Sequence, residues 1–344
     1  MLRPRILPAA TLLHLMLCLA PVAANADLAV LVGNKSEASV DLLDLDTGER
    51  RARFPTGDVP HEITVSPDRR WAVVTNYGPR DRPGNTLTVI DWVAGAVART
   101  VDLGENGGPH GIAFLPNART LIVTTEANGT LTEVDVVDGR VLRTIDVGGQ
   151  RPHMLVLSPD ARHAYVTRTQ AGAVTVVDLQ SGRVVADIPT GAGAEGISIT
   201  PDGRELWISN AQADTVSVID TETLAVVATV PTEGFPIRTR ITPDGRHVLV
   251  LNAKAATIRV FDRAERQALH TIALAKPGVV YGETIFGIGP LPIGIQISPD
   301  GQRAIAAISG GDEVAVIDTE TWAIVQRWPT GREPDGMSFL PGMM

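Results

Sequence analysis

Only one cysteine is present in the sequence, Cys18, and it lies within a predicted secretion signal. Two arginines near the start, the apolar run of residues 6–20 and the tripeptide ANA before Asp27 are together typical of a cleaved signal peptide. We therefore expect residues 1–26 to be removed and the mature chain, residues 27–344, to have no thiol. This absence excludes disulfides, thiol nucleophiles, thiolate metal sites and covalent c-type haem attachment.

Long apolar runs are also scarce, because none follows the predicted signal. A membrane-spanning helix needs about 20 mostly apolar residues in a row, so we expect no membrane span. Arg3 and Arg5 are not adjacent, which argues against the twin-arginine export route, and Leu17 before Cys18 is unfavourable for lipoprotein processing. We predict a free periplasmic or secreted protein.

Positive charge is in short supply as well. The chain has 30 Lys and Arg against 39 Asp and Glu, and loss of Arg3 and Arg5 with the signal leaves 28 basic residues and a net charge of −11. Such a surface repels phosphate backbones and anionic lipids. Nucleic acid and membrane surfaces are therefore unlikely partners.

The sequence contains an internal repeat that occurs seven times. Its first landmark is the proline of a Ser/Thr/Leu-Pro corner, with spacings of 42 to 56 residues: Pro67, Pro116, Pro159, Pro201, Pro243, Pro299 and Pro341. Its second landmark is an aspartate after an apolar residue: Asp44, Asp91, Asp135, Asp178, Asp220, Asp262 and Asp318. Repeats of this length indicate solenoids or propellers.

Each repeat alternates short Val/Ile/Thr-rich runs with Gly, Pro, Asn and Asp turns and shows no helical period. Four such runs per repeat predict an all-β, seven-bladed β-propeller with four-stranded antiparallel blades. After the predicted signal the first segment, LAVLVGN, has the pattern of the second strand of a repeat. The last segment, EPDGMSFLPG, has the pattern of the first strand. We therefore expect the C-terminal strand to complete the blade begun by the N-terminal strands, closing one domain of residues 27–344.

The second-strand segments WAVVTN, AYVTR and LWISN resemble those of the YVTN-type seven-bladed propellers, and the likeness covers essentially the whole mature chain. Relatives by architecture include lactonases, the d1 domain of a nitrite reductase, amine dehydrogenase heavy chains and a periplasmic single-strand DNA binder. The resemblance implies the fold but not one function, because the shared motifs are turns and strands.

Two long loops fall on one predicted face of the ring. The segment GPRDRPG, residues 78–84, enlarges a loop between the second and third strands of a blade, and KPGVVYGETIFGIG, residues 276–289, enlarges a loop between blades. Long loops on a rigid scaffold commonly bind ligands. The second loop either covers the central mouth or packs on its own blade.

On that face, one position opens the innermost strand of every blade, directly after a Gly-x-x-Pro-like element. Around the ring its occupants are His61, His110, His153, Glu195, Ile237 with Arg238 beside it, Ile293 and Asp335. Three imidazoles and the Glu195 carboxylate suit a divalent metal such as Zn, Cu, Fe or Mn. Alternatively, the histidines line a wet channel mouth and lie too far apart to share an ion.

Further polar candidates on this face are Tyr77, Arg168, Arg151, Glu62 and Glu126. Together with Arg238, Arg168 could hold an anionic group such as a carboxylate through two hydrogen bonds. The alternative is that both arginines pair with acidic side chains of the protein itself, namely Glu126, Glu195 or Asp335.

Motifs of established enzyme classes are missing: the sequence has no nucleophile elbow, Ser-His-Asp order, phosphate loop or metalloprotease helix. We therefore predict a binding module, expected to be monomeric, that takes a small ligand or a periplasmic protein on its irregular face. One alternative is a metal-dependent, lactonase-like hydrolase. Another is an accessory protein of periplasmic quinoprotein or haem redox systems, with a mouth histidine as axial ligand.

Overall fold

The computed structural model describes residues 28–284 and 286–340, so the predicted signal and Pro341 lie outside the described residues. It contains seven four-stranded antiparallel sheets, and the seven-bladed propeller predicted from the repeat is confirmed. Among the described residues no helix combines the length and apolar character needed to span a bilayer.

The strands follow the repeat along the chain. In order they are β1 (Ala29–Asn34), β2 (Ser39–Asp44), β3 (Arg50–Pro55), β4 (Pro60–Val65), β5 (Trp71–Asn76), β6 (Thr86–Asp91), β7 (Ala96–Asp102), β8 (Pro109–Phe114), β9 (Thr120–Thr125), β10 (Thr130–Asp135), β11 (Arg140–Asp146), β12 (Pro152–Leu157), β13 (His163–Arg168), β14 (Ala173–Asp178), β15 (Arg183–Pro189), β16 (Ala194–Ile199), β17 (Glu205–Asn210), β18 (Thr215–Asp220), β19 (Ala225–Pro231), β20 (Pro236–Ile241), β21 (His247–Asn252), β22 (Thr257–Asp262), β23 (Gln267–Ala273), β24 (Glu283–Thr284), β25 (Gly287–Ile288), β26 (Pro292–Ile297), β27 (Arg303–Ile308), β28 (Glu313–Asp318), β29 (Ile324–Pro329) and β30 (Pro334–Leu340). Two 3₁₀ turns, Lys35–Glu37 and Ser309–Gly311, follow β1 and β27.

Blade 1 joins the two ends of the described chain. Its order is β30, β1, β2, β3 from the axis outward, and Ala29 of β1 pairs with Leu340 of β30. Blades 2 to 6 are β4–β7, β8–β11, β12–β15, β16–β19 and β20–β23, and blade 7 is β26–β29. The innermost strands contact one another in ring order, and β30 lies between β26 and β4. The predicted closure of the ring by the C-terminal strand is confirmed.

The apolar core lies between neighbouring blades. Trp71 and Val73 of blade 2 pack with Leu121 and Val123 of blade 3, and fully buried Trp207 packs against residues of blade 6. Middle strands such as β5 are buried along their whole length, whereas outer strands such as β7 alternate between exposed and shielded residues. Middle strands therefore read as continuous apolar runs, as expected when both sheet faces are covered.

The corners between the first and second strands are hydrogen-bonded turns, and those of blades 2 and 4 to 7 share one pattern. In blade 2, Asp68 accepts hydrogen bonds from Ser66 Oγ (2.5 Å) and from the Arg70 N–H (3.2 Å), while Ser66 Oγ accepts the Trp71 N–H (2.9 Å). The same pattern recurs in blade 7 around Ser298 and Asp300. These short polar side chains bond to nearby backbone, so the repeated Ser/Thr-Pro-Asp text encodes a scaffold turn.

Candidate functional site

One cavity of about 990 Å³ collects residues from every blade. All seven occupants of the predicted inner-strand position line it: His61, His110, His153, Glu195, Ile237, Ile293 and Asp335. Both long loops also reach it, because Arg80 of residues 78–84 and Phe286 of residues 276–289 belong to its lining. The cavity thus brings together side chains that are far apart in the sequence.

A β-bulge at the start of the inner strand presents this position in all seven blades, and in blades 2 to 5 a hydroxyl of the second strand secures it. In blade 2 the pairing register shifts between Pro60 and Ile63, and the shift recurs in β8, β12 and β16. The bulge frees the N–H of the following residue, and a Thr or Ser hydroxyl of the second strand accepts it. The four bonds run from Glu62 to Thr75 (2.9 Å), Gly111 to Thr124 (2.8 Å), Met154 to Thr167 (3.0 Å) and Gly196 to Ser209 (2.8 Å). Bulges commonly redirect a side chain at a binding site.

Two of these hydroxyls also connect neighbouring blades. Thr124 Oγ1 donates to the His153 carbonyl (2.7 Å), and Thr167 Oγ1 donates to the Glu195 carbonyl (2.8 Å). The backbones of His153 and Glu195 are therefore each fixed from the preceding blade. Sequence reasoning missed this function of the threonines, although they stand at the same place in VVTN, IVTT and YVTR.

His61 is a neutral imidazole with one lone pair unused by the protein. Its Nδ1 lies 3.0 Å from the Val59 carbonyl, which can only accept, so Nδ1 carries the proton and Nε2 the lone pair. Burial, assisted by the positive charge of Lys35, lowers the pKa of His61 to about 4. At neutral pH this side chain is therefore a Lewis base.

His110 lies between the other two histidines. Its ring centroid is 4.9 Å from that of His61 and 3.9 Å from that of His153. Burial and the neighbouring charge of His153 hold the pKa of His110 well below the usual range. Its buried Nδ1 has no hydrogen-bond partner among the described residues. Buried polar atoms are rarely left unpaired, so this nitrogen is suited to contact a ligand.

His153 lies between two carboxylates and differs in charge. Nδ1 is 2.5 Å from Glu126 Oε1, and Nε2 is 2.9 Å from Glu195 Oε1, a close ionic contact without hydrogen-bond alignment. Burial alone would lower the pKa of His153, but the charges of Glu195 and Glu126 outweigh it and raise the pKa to about 9. His153 is therefore an imidazolium at neutral pH.

Glu126 is the centre of a polar network that includes the cavity residues Tyr77, Arg151 and His153. It accepts hydrogen bonds from the Tyr77 hydroxyl (2.6 Å) and from Arg151 Nε (2.8 Å). Burial opposes its ionisation, but His153 and Arg151 lower the pKa of Glu126 to about 2. Burial and the Glu126 charge raise the pKa of Tyr77 to about 12, so the phenol stays protonated.

Arg238 and Asp335 belong to two further ion pairs. Arg238 Nη2 lies 2.7 Å from Glu62 Oε1, so this buried pair joins blades 6 and 2 across the ring. Lys35 Nζ lies 3.3 Å from Asp335 Oδ2, and Asp335 Oδ1 has no partner among the described residues. Arg238 thus pairs within the protein, with Glu62 rather than with Glu126, Glu195 or Asp335.

Lys35 was missed by sequence reasoning although a positional signal exists. Its N–H bonds to the Glu333 carbonyl, as the Tyr77 N–H bonds to Val59 and the Glu126 N–H bonds to Gly108. All three residues directly follow the second strand of consecutive blades, β1, β5 and β9. The position after that strand therefore supplies a second set of mouth residues.

Arg168 lies apart from the other predicted site residues. Its Nη2 is 2.7 Å from Asp187 Oδ1 on the outer strand of the same blade, and it does not belong to the cavity lining. The structure therefore brings together seven of the eight predicted ligand-binding residues, including Tyr77, and separates Arg168 from them.

The opposite wall of the cavity is apolar. Ile237 and Ile293 pack with Phe235 and Phe286, whose ring centroids are 5.8 Å apart. The long loop thus places Phe286 at the mouth, while Tyr281 packs against the core between blades 6 and 7. Part of the loop thus lines the mouth and part packs on the body of the propeller, and covering of the mouth by this loop stays a prediction.

A metal ion would find a donor set that differs from the predicted one. Ligand atoms of His110, Glu126 and His153 lie within 4.8 Å of one another. The predicted set of His61, His110, His153 and Glu195 shares two residues with this cluster.

Comparison with known families identifies the fold relatives of this chain. A model described as the cytochrome D1 heme domain matches residues 115–340, more than half of the sequence. The chain belongs to the cytochrome D1 heme domain family. Membership of the YVTN-type family stays a prediction. No curated protein matches significantly.

Solved structures support the same fold. Hydrazine synthase from Kuenenia stuttgartiensis is 20% identical, with 80% of this chain and 87% of that chain covered and a TM-score of 0.69. The dihydro-heme d1 dehydrogenase NirN, in complex with DHE, is 19% identical over 90% of this chain and 74% of that chain, with a TM-score of 0.66. A functionally unknown protein from Desulfotomaculum acetoxidans DSM 771 is 15% identical over 92% and 99%, with a TM-score of 0.76. At these identities the similarity shows the fold alone.

The cavity fits the group named by the family. Haem iron needs an axial donor, and the neutral imidazole of His61 would offer one through Nε2. An apolar macrocycle requires an apolar wall, which Phe235, Phe286, Ile237 and Ile293 provide. Haem carboxylates require cations, and the cavity lining includes the exposed Arg80 and also Arg151, whose Nε is paired with Glu126.

Proposed function

We propose that this protein binds a d1-type haem at the mouth of its propeller channel and serves as an accessory protein of a periplasmic redox system. The observation that carries the proposal is His61, a buried neutral imidazole whose proton is held by the Val59 carbonyl while Nε2 remains available in a cavity of about 990 Å³. Membership of the cytochrome D1 heme domain family supports the choice of ligand.

Different residues of the chain would bind the iron, shield the haem from water and hold a proton at this site. His61 offers the iron donor, and the Phe235–Phe286 wall excludes water from the apolar side. His153 holds a proton between Glu126 and Glu195 at the same cavity. When bound, the haem would supply one-electron chemistry, which these protein groups cannot perform.

The proposal extends to the cellular setting. A periplasmic location would follow from the predicted signal of residues 1–26, and the ligand would be a small molecule taken up by a monomer. Purification of the protein and N-terminal sequencing would test cleavage before Asp27, and light scattering would test the monomer.

Titration of the purified, ligand-free protein with haem d1 tests the binding directly. We expect a saturable shift of the Soret and long-wavelength bands with one equivalent of haem. His61→Ala should weaken binding at least about tenfold, or 1.4 kcal/mol, and alter the spectrum, because the axial donor is lost. His163→Ala is the matched control, since His163 begins a second strand, away from the cavity lining.

The outcome that would refute the proposal is haem binding that is absent or unchanged in His61→Ala. In that case the second candidate gains weight, a divalent metal at His110, Glu126 and His153. The observation in its favour is that the three donor groups lie close together. A cation would replace the proton that His153 Nδ1 shares with Glu126. About one equivalent of Zn²⁺ by elemental analysis, lost in His110→Ala, would support that site and a hydrolytic, lactonase-like activity.

A further inference from the structure

A second ring of side chains lies one level deeper in the channel. Its members are register-equivalent, because each inner-strand residue pairs with the same position of its second strand. Around the ring they are Thr64, Ala113, Val156, Ser198, Arg240, Gln296 and Ser338. Arg240 is the single charged residue of this ring.

Arg240 has only neutral partners. Its Nε donates to Gln296 Oε1 (3.1 Å) and its Nη1 donates to the Thr239 carbonyl (2.9 Å). Within the described part of the chain, no carboxylate lies at ion-pair distance from this guanidinium. Glu62 attracts the Arg240 charge from a distance, but its carboxylate forms an ion pair with Arg238.

The environment of Arg240 disfavours its charge. Burial and the nearby positive charge of Arg238 lower the pKa of Arg240 to about 10 despite the attraction of Glu62. The group nevertheless stays protonated at neutral pH. Arg240 is half-buried, and an anion beside a partly desolvated cation that lacks a counter-charge would lower its electrostatic cost.

The neighbouring side chains add hydrogen-bond donors on one side of the channel. Ser338 and Thr64, on the two blades that follow Gln296 around the ring, have hydroxyls without a protein partner among the described residues. Both are only partly buried, so solvent and small ions reach this level. On the other side of the ring, Ala113 and Val156 offer no polar group.

We propose that a small monovalent anion, a halide or a compact oxyanion, binds in the channel against Arg240, between the Glu62–Arg238 pair and the face that carries the Ser/Thr-Pro-Asp corners. Arg240 supplies the charge, and the hydroxyls of Thr64 and Ser338 supply further donors. The site is separate from the mouth cavity, whose lining excludes Arg240, and it does not depend on haem binding.

Thermal unfolding of the full mature protein in bromide and nitrate tests this site. With ionic strength held constant by sodium gluconate, we expect a saturable rise in Tm of about 2 °C as bromide or nitrate replaces gluconate. Arg240→Gln should abolish the rise. Arg162→Gln, which removes an exposed arginine paired at 3.7 Å with Asp160, should retain it. An equal rise in all three proteins would overturn the proposal.

Crystals of the wild-type protein soaked in bromide give a second readout that does not depend on the stability of a variant. Anomalous scattering should place a bromide ion beside the Arg240 guanidinium. Bromide peaks elsewhere, with none in the channel, would overturn the proposal even if the Tm rises.

Discussion

The three mouth histidines occupy equivalent positions but differ in charge. His61 and His110 are buried beside positive groups, and their pKa values fall. His153 is also buried, but Glu195 and Glu126 approach both of its ring nitrogens and raise its pKa to about 9. One cavity therefore combines two neutral imidazoles with one imidazolium. The charge of each histidine is set by its neighbouring side chains and not by its position in the repeat.

Titration of these histidines, followed by NMR of metal-free and haem-free protein, should separate them. His61 should gain its proton only near pH 4, and His153 should lose its proton only near pH 9. A common transition near the ordinary value of about 6.5 would contradict the geometry. Glu195→Gln is the useful control, because removal of that carboxylate should lower the pKa of His153 while His61 keeps its own.

The same shifts predict the pH dependence of stability with opposite signs. The raised pKa of His153 contributes stability that is complete below about pH 6.5 and is lost as the pH rises through about 9. The depressed pKa of His61 contributes stability that is present above about pH 6.5 and is lost as the pH falls through about 4. The advantage of wild type over His153→Asn should therefore shrink between pH 6.5 and 9, as urea unfolding can measure.

At the scale of single strands, the bulge of the inner strand is the element that presents the site. Its geometry depends on Thr and Ser hydroxyls of the second strand, which bond the freed N–H groups in blades 2 to 5. Blades 6 and 7 have Leu251 and Ala307 at this place, and there the cavity residues are Ile237 and Ile293. His61, His110, His153 and Glu195 thus all lie in blades whose bulges are held by hydroxyls, whereas blade 1, which supplies the polar Asp335, has Gly33 at this place.

Replacement of one of these hydroxyls should therefore lower the stability of the protein. Thr167→Val leaves the Met154 N–H and the Glu195 carbonyl without their partner, and we expect a loss of about 1–3 kcal/mol in the free energy of unfolding. Thr100→Val, on the exposed face of β7, should change it by less than about 0.5 kcal/mol. Chemical denaturation measures both, and equal effects would show that the bulge hydroxyl has no special function.

The repeat itself makes most of this architecture predictable from the sequence. Prolines and aspartates that recur with the repeat mark every blade, and the position after the Gly-x-x-Pro element identifies one cavity residue in each blade. Contacts between blades are not predictable in the same way. Glu126 of blade 3 meets His153 of blade 4, and Arg168 turns outward to Asp187, because these choices depend on side-chain distances that the period does not encode.

At the scale of the whole ring, the Glu62–Arg238 pair links blades that are nearly opposite. The side chains of Glu62 and Arg238 are only 8% and 4% exposed, so neither charge is well solvated. Loss of one partner of a buried pair typically costs about 3–5 kcal/mol, whereas removal of both charges costs far less. The pair therefore contributes to specificity of the ring more than to its net stability.

A double-mutant cycle tests this link, and Arg240 predicts an asymmetry in it. Glu62→Leu leaves the buried Arg238 beside the half-buried Arg240, whose charge repels it, whereas Arg238→Met leaves Glu62 near Arg240 as a replacement partner. We therefore expect Glu62→Leu to destabilise more than Arg238→Met, and the double variant to be more stable than either. The exposed Asp160–Arg162 pair is the control and should show no coupling. Additive losses in the buried cycle would mean that the two side chains act independently, and the ring would then be held by blade-to-blade packing alone.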